Sequence, residues 1–254
     1  MHVLLHGWQL DPPLVAIAVA AMVYARGLRR RARRRGGRVE AAWFAAGLAS
    51  LVVALVSPLD AYDDSVFWAH MLQHVLLLVV APPLLLLGRP LATSGRAVPL
   101  RVRRPLARAL VPRFGALRAA PAAPLAFALF TANMIVWHVP ALFDETLRSP
   151  SVHELEHALF ITTGLYFWSF LVGSRLAPPV WAFYASLAMI ASWLLALTLG
   201  VASTSFYAPY SAGDQHLAAG IMWVPGSIPF ALAITLYAYR WLGETALSPV
   251  RGGV

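Results

Sequence analysis

Apolar residues fill this chain in seven long blocks, and most of the charged residues lie in the connections between them. The blocks run at about 12–28, 40–57, 66–88, 122–141, 155–172, 179–200 and 217–239, each near the roughly 20 residues a helix needs to cross a bilayer. The first and fifth are the shortest. Pro178-Pro179 discourages one long helix through the fifth and sixth. The pattern predicts an all-α, polytopic bundle of seven transmembrane helices. With no repeat, no low-complexity tract beyond an arginine run and no soluble stretch, residues 1–254 read as a single membrane domain. No basic region precedes the first block, so it reads as an uncleaved span rather than a signal peptide.

Charge orients the bundle. Eight arginines lie between Arg26 and Arg38, and eight more between Arg89 and Arg118. Arg175, Arg240 and Arg251 fall on the same side, and Arg148 on the other. The positive-inside rule then places the N-terminus outside and the C-terminus in the cytoplasm. Nine of the eleven acids, from Asp11 to Asp214, lie outside, while Glu40 and Glu244 lie inside.

Composition agrees. The chain is 59% hydrophobic and 12% charged, against about 25% charged in a soluble domain. A formal charge of +9, from 20 arginines and no lysine, would fit nucleic-acid binding if it formed one patch. Divided among cytoplasmic loops it reports topology, and no nucleic-acid partner is expected. In the 89–118 segment, apolar Leu100, Val102, Leu106, Leu110 and Val111 interleave with arginines. That suits either an interfacial helix on anionic lipid or a solvated loop. Without cysteine, thiolate ligands and disulfides are excluded.

This topology brings all eight histidines to the outer side. His70 and His74 lie one and two turns into the third block. His138 lies in the last outer turn of the fourth, and His153 and His157 straddle the start of the fifth. His216 opens the seventh, and His2 and His6 precede the first. Residues four apart share a helix face about 6 Å apart along the axis. His70/His74 and His153/His157 could therefore offer four nitrogens if their helices face each other. Imidazole suits copper, zinc, iron and nickel alike. Asp60, Asp63, Asp64, Glu154, Glu156 and Asp214 are candidates for fixing the ring tautomers. Met71, Met134 and Met222 are either soft ligands or packing. His2, His6 and His216, each alone, fit hydrogen bonding to backbone, water or headgroups as well as ligation.

Other features are less specific. Pro82-Pro83 and Pro225-Gly226-Ser227-Ile228-Pro229 should bend or open the third and seventh spans. Trp137, Trp168, Trp181, Trp223, Tyr207 and Tyr210 read mostly as an interfacial aromatic belt. Asn133 should bond between helices. No phosphate loop or G-x-S-x-G is present. His153-Glu154-Leu155-Glu156-His157 does fit H-E-x-x-H, but a metalloprotease also needs a third ligand, an open metal position and room for a peptide. The chain is expected not to be an enzyme. A metal transporter using the bent spans, or a haem-binding oxidoreductase with axial histidines, stays open on the residues alone.

Several separated motifs occur in one order. His70-Met71-Leu72-Gln73-His74 leads into Ala81-Pro82-Pro83 and Leu87-Gly88-Arg89-Pro90. Trp137-His138-Val139-Pro140-Ala141-Leu142-Phe143-Asp144 and His153-Glu154-Leu155-Glu156-His157 follow. Asp214-Gln215 and Ala219-Gly220-Ile221-Met222-Trp223-Val224-Pro225-Gly226 come last. Over roughly residues 40 to 240 the chain resembles the CtaG family of bacterial caa-type cytochrome c oxidase assembly factors, the multi-span type. A single-span copper chaperone that shares the name is unrelated. The resemblance implies a multi-pass protein of the bacterial plasma membrane that handles copper for the oxidase, with oxidase subunit I as partner beside the lipid bilayer. It maps the metal-site motifs onto His70, His74, His138, His153 and His157. Met71, Glu154, Glu156, Asp214 and His216 are weaker ligands or orienting groups. Copper is the expected ion, with zinc and haem iron left open.

Overall fold

In a computed structural model, the described residues are 12–30, 37–62, 65–117, 120–173 and 177–247. His2, His6, Asp63 and Asp64 lie outside them. The described residues are mostly helical, without a strand. The main helices are α1 (Pro12–Arg29), α2 (Gly37–Leu55), α3 (Phe67–Leu87), α4 (Leu100–Leu117), α5 (Ala123–Trp137), α6 (Pro140–Arg148), α7 (Pro150–Gly173), α8 (Pro178–Val201), α9 (Ala212–Trp223) and α10 (Ile228–Leu247).

Among the described residues, five stretches are long and apolar enough to cross a membrane: Pro12–Arg29, Gly37–Tyr62, Phe67–Leu87, Pro178–Val201 and Ala212–Gly243. The α5–α6 pair adds a sixth if taken as one span, although it bends by 73°. These helices are consistent with a multi-pass membrane protein. Helix α7 has 24 residues and opens on the polar run His153, Glu154, Glu156 and His157.

Helix α3 is the centre of the bundle and packs against α2, α7 and α9. Sixty-one per cent of its span window is buried, against 17% for α1 at the periphery. Its Pro82-Pro83 pair does not break it. Pro82 has no N–H to offer the Leu78 carbonyl one turn back. The helix widens into a π-turn over Leu76–Val80, where the Ala81 N–H donates to the Leu76 carbonyl. The Leu78 carbonyl instead accepts the indole N–H of Trp168 on α7, at 3.2 Å. Gly164 lets α7 come this close, since a Cβ there would stand 2.8 Å from the Leu78 carbonyl oxygen. The 225–229 stretch behaves similarly. A 3₁₀ turn at Pro225–Ser227 links α9 to α10, and the Trp193 indole donates to Ser227 at 2.6 Å.

Several expectations change. Helix α5 stops at Trp137, so His138 sits in the break before α6 rather than in a last helical turn. Pro140 is the cause, because it disfavours helical geometry at Val139 and cannot continue the ladder. Helix α7 starts at Pro150, which brings His153 onto the same helix as His157. Helix α9 starts at Ala212, one turn before His216.

The aromatic belt is corrected for most of its members. Trp137, Trp168, Trp181, Tyr207 and Tyr210 are all buried, because their polar tips are needed inside. Trp137 donates to Asn133 and Trp181 to the Phe170 carbonyl. Asn133 makes the expected bond between helices, to Thr163 on α7 at 3.1 Å. Segment 100–117 is a helix whose Leu100, Val102 and Leu106 are exposed.

Candidate metal centre

The helix register described above turns one face of α3 toward one face of α7. His70 and His74 come from the first two turns of α3, and His153, Glu156 and His157 from the first two turns of α7. Ligand atoms of His70, His74, His153 and Glu156 all lie within 4.8 Å of one another. His74 Nε2 is 3.4 Å from Glu156 Oε1, and His70 Nε2 is 3.9 Å from Oε2. Ring centroids are 4.3 Å apart for His70 and His74, 5.2 Å for His70 and His153, and 4.1 Å for His153 and His157. His157 sits 5.8 Å from His74 by the same measure.

The cluster is mostly buried, with His153 half-buried. His70 and Glu156 are fully buried, and His74, His157 and His138 nearly so. Phe143 lies 4.8 Å from His70, and Phe160 lies 4.3 Å from His74. Phe67, Phe143, Tyr207 and Tyr210 stack over the end of α3 as a second apolar core.

No hydrogen-bond donor reaches either oxygen of Glu156, and neither nitrogen of His70 or His74 has a hydrogen-bond partner. Burying such groups unpaired costs about 1–3 kcal/mol each, and more for a charge. A shared cation between them resolves the deficit. Four ligands on tetrahedral bonds of about 2.0 Å stand roughly 3.3 Å apart. Small side-chain rotations therefore close this set around an ion.

Neighbouring groups hold the helices in place. Asp214, in the first turn of α9, accepts from the N–H groups of Phe67 at 2.6 Å and Trp68 at 3.2 Å. It thus caps α3 just before His70, where a negative charge also suits the helix dipole. Ser211 in turn caps α9, accepting from the Asp214 N–H at 3.1 Å. Gln73 donates to the Ala54 carbonyl and to Asp60, tying α3 to the end of α2. Gln215 donates to the Leu199 carbonyl and accepts from the Phe206 N–H, which fixes the 202–211 loop. Tyr207, on that loop, donates to the His138 carbonyl at 2.9 Å. Burial pushes its phenol up, with Asp144 adding to the effect, so it remains a donor.

The expected site residues divide accordingly. His70, His74, His153 and His157 come together with Glu156. His138 lies beside them, 6.4 Å from His74 between ring centroids. Its Nδ1 bonds to the Met134 carbonyl at 2.7 Å, and its Nε2 faces Met71 Sδ at 3.2 Å. His216 is exposed and donates to the Ala202 carbonyl at 2.9 Å, away from the cluster. Glu154 is exposed, so the glutamate that the H-E-x-x-H string would use does not face the histidines. Glu156 does, because three residues after His153 the helix returns to the same face. Sequence reasoning ranked Glu156 with Glu154 as a weaker ligand or orienting group, although the same spacing could have separated the two. Gln73 and Gln215 were given no role, and their signal was an amide inside an apolar block.

The structure is that of a helical bundle with several segments able to cross a membrane and a largely buried imidazole–carboxylate cluster. Such a protein belongs among multi-pass membrane proteins with a candidate metal centre. The chain is a member of the cytochrome c oxidase caa3 assembly factor family (Caa3_CtaG), whose model matches residues 22–244. The match points to a cytochrome c oxidase assembly factor. Uncharacterised proteins of Mycobacterium bovis and Mycobacterium tuberculosis are each 28% identical to it over 263 residues, covering 92% of this chain and 39% of theirs. One of Mycobacterium leprae is 25% identical over 272 residues, covering 96% of this chain and 41% of its own length. The chain thus spans about two fifths of the length of these curated relatives. No solved structure matches it.

Proposed function

We propose that this protein binds copper as cargo at the histidine–glutamate cluster and supports its delivery to cytochrome c oxidase, with subunit I as the receiving partner. His70, His74, His153 and Glu156 hold the ion, His157 stands as a further ligand, and His138 completes or gates the site. Asp214 acts as a positioning residue through the cap on α3. The chain is a seven-span membrane domain over residues 1–254 in the bacterial plasma membrane. Its N-terminus is outside, so the cluster lies near the extracytoplasmic surface, and its role is not enzymatic.

The observation that carries this reading is the buried carboxylate of Glu156, which has no hydrogen-bond donor and faces three imidazoles. Borderline nitrogen donors with one carboxylate and no thiolate fit an ion that is passed on rather than locked in place. Zinc would fit the same donor set, and the family membership favours copper. The test is metal content by mass spectrometry in detergent-purified protein. We expect the cluster's copper to be lost in the His70→Ala/His74→Ala variant and kept in His216→Ala. Protein that takes up no copper after loading under reducing conditions, or a double variant that keeps its full content, refutes the reading.

A further inference from the structure

A cavity of about 30 Å³ lies against the cluster, with Met71, His74, Met134, His138 and Met222 in its wall. A water-sized body needs about 10–15 Å³ of such space, so a single ion fits. Met71 comes from α3, Met134 from α5 and Met222 from α9, and all three are buried. Three methionines from three helices thus line one small space that His74 shares with the cluster.

The contact between His138 and Met71 sets this space apart from ordinary methionine packing. His138 is 7% exposed. Its Nδ1 lies 2.7 Å from a carbonyl oxygen, which can only accept, so Nδ1 carries the ring proton. In the neutral ring Nε2 then holds a bare lone pair. It points at the Met71 sulfur, 3.2 Å away, which is also an acceptor. Two acceptors this close in an apolar pocket repel unless a cation lies between or beside them. Thioether with imidazole is a soft donor set, and it selects copper(I) over harder ions.

We propose that Met71, Met134, Met222 and His138 form a second, soft copper(I) position next to the histidine–glutamate cluster, reached through His74. The proposal rests on the copper reading above and adds a route to it. The ion passes between the two positions by exchange of ligands at His74, remaining copper(I), with no electron or proton transferred. The nitrogen–oxygen set favours capture and the sulfur set holds the reduced ion.

The test uses the full chain in detergent, with copper(I) or silver(I) as probe and X-ray absorption as readout. The His153→Ala/Glu156→Gln variant cuts the cluster and leaves the soft position whole. It should still bind about one copper(I), with metal–sulfur scattering at roughly 2.3 Å. Adding Met71→Leu, Met134→Leu and Met222→Leu should weaken silver(I) binding at least tenfold. Leucine nearly conserves volume, and thermal unfolding checks that these variants fold. If the cluster variant binds no copper(I), or binds it without sulfur, the soft position is overturned while wild-type copper at the cluster stands. If the wild type binds neither copper nor silver, the copper reading falls as well. If the methionine variants fold and bind silver(I) unchanged, the thioethers are packing and the proposal is overturned.

Discussion

Glutamine in place of Glu156 separates a structural carboxylate from one kept for an ion. In the structure the Glu156 oxygens face His74 Nε2 at 3.4 Å and His70 Nε2 at 3.9 Å, and none of these atoms is in a hydrogen bond. Glu156→Gln keeps the shape, removes the buried charge and supplies two N–H donors to the imidazole nitrogens. Relieving one such unpaired buried group contributes about 1–3 kcal/mol. At about 2 kcal/mol the midpoint of thermal unfolding should rise by roughly 4–8 °C for a chain of this size. Copper reverses the order. An ion at 100 times its dissociation constant stabilises the wild type by about 2.7 kcal/mol, and the variant, lacking its anionic ligand, should gain much less. The assay is thermal unfolding in detergent, with a chelator and then with copper(I). A variant less stable than wild type without metal, and equally stabilised by copper, would refute the claim that Glu156 is present for a cation.

Three other outcomes follow from the packing. Asp214→Ala should lose about 1–2 kcal/mol through the α3 cap and lower copper affinity, while Asp214→Asn should keep most of both; equal copper affinity in all three proteins would dissociate the cap from the site. Gly164→Val should force α7 away from the Leu78 carbonyl and cost well over the ~0.5 kcal/mol of a surface change, seen as loss of folded protein in detergent; unchanged stability would contradict the close approach of α3 and α7. The native chain has no cysteine, so Ala141→Cys and Ala107→Cys can report orientation alone. A membrane-impermeant maleimide on intact spheroplasts should label the first and spare the second, and the opposite pattern would invert the topology.

Much was legible without coordinates. The apolar blocks appear as helical segments, five or six of them able to cross a membrane among the described residues, because a stretch without side-chain charge must satisfy its backbone internally. The i, i+4 spacing placed His70 beside His74 and His153 beside His157, since helical pitch alone brings those residues to one face. The break at Pro140 was encoded locally as well, yet its effect on His138 was not read, because a proline's influence reaches back past the residue before it.

What the chain order could not supply was which helices meet. That α3 faces α7 depends on Gly164 lying against the Leu78 carbonyl and on Trp168 filling the bond that Pro82 leaves empty. Both are contacts across about ninety residues, and no local periodicity reports them. The same holds for Asp214, whose carboxylate reads as a ligand in the sequence and proves to cap a helix 147 residues away. Glu156 becomes a member of the cluster, and Glu154 does not, only because α7 presents one face to α3. The sequence determined the helices, their polar faces and the family. The tertiary structure decided which polar groups share one dry space, because burial and the loss of water partners belong to packed helices and not to any one of them.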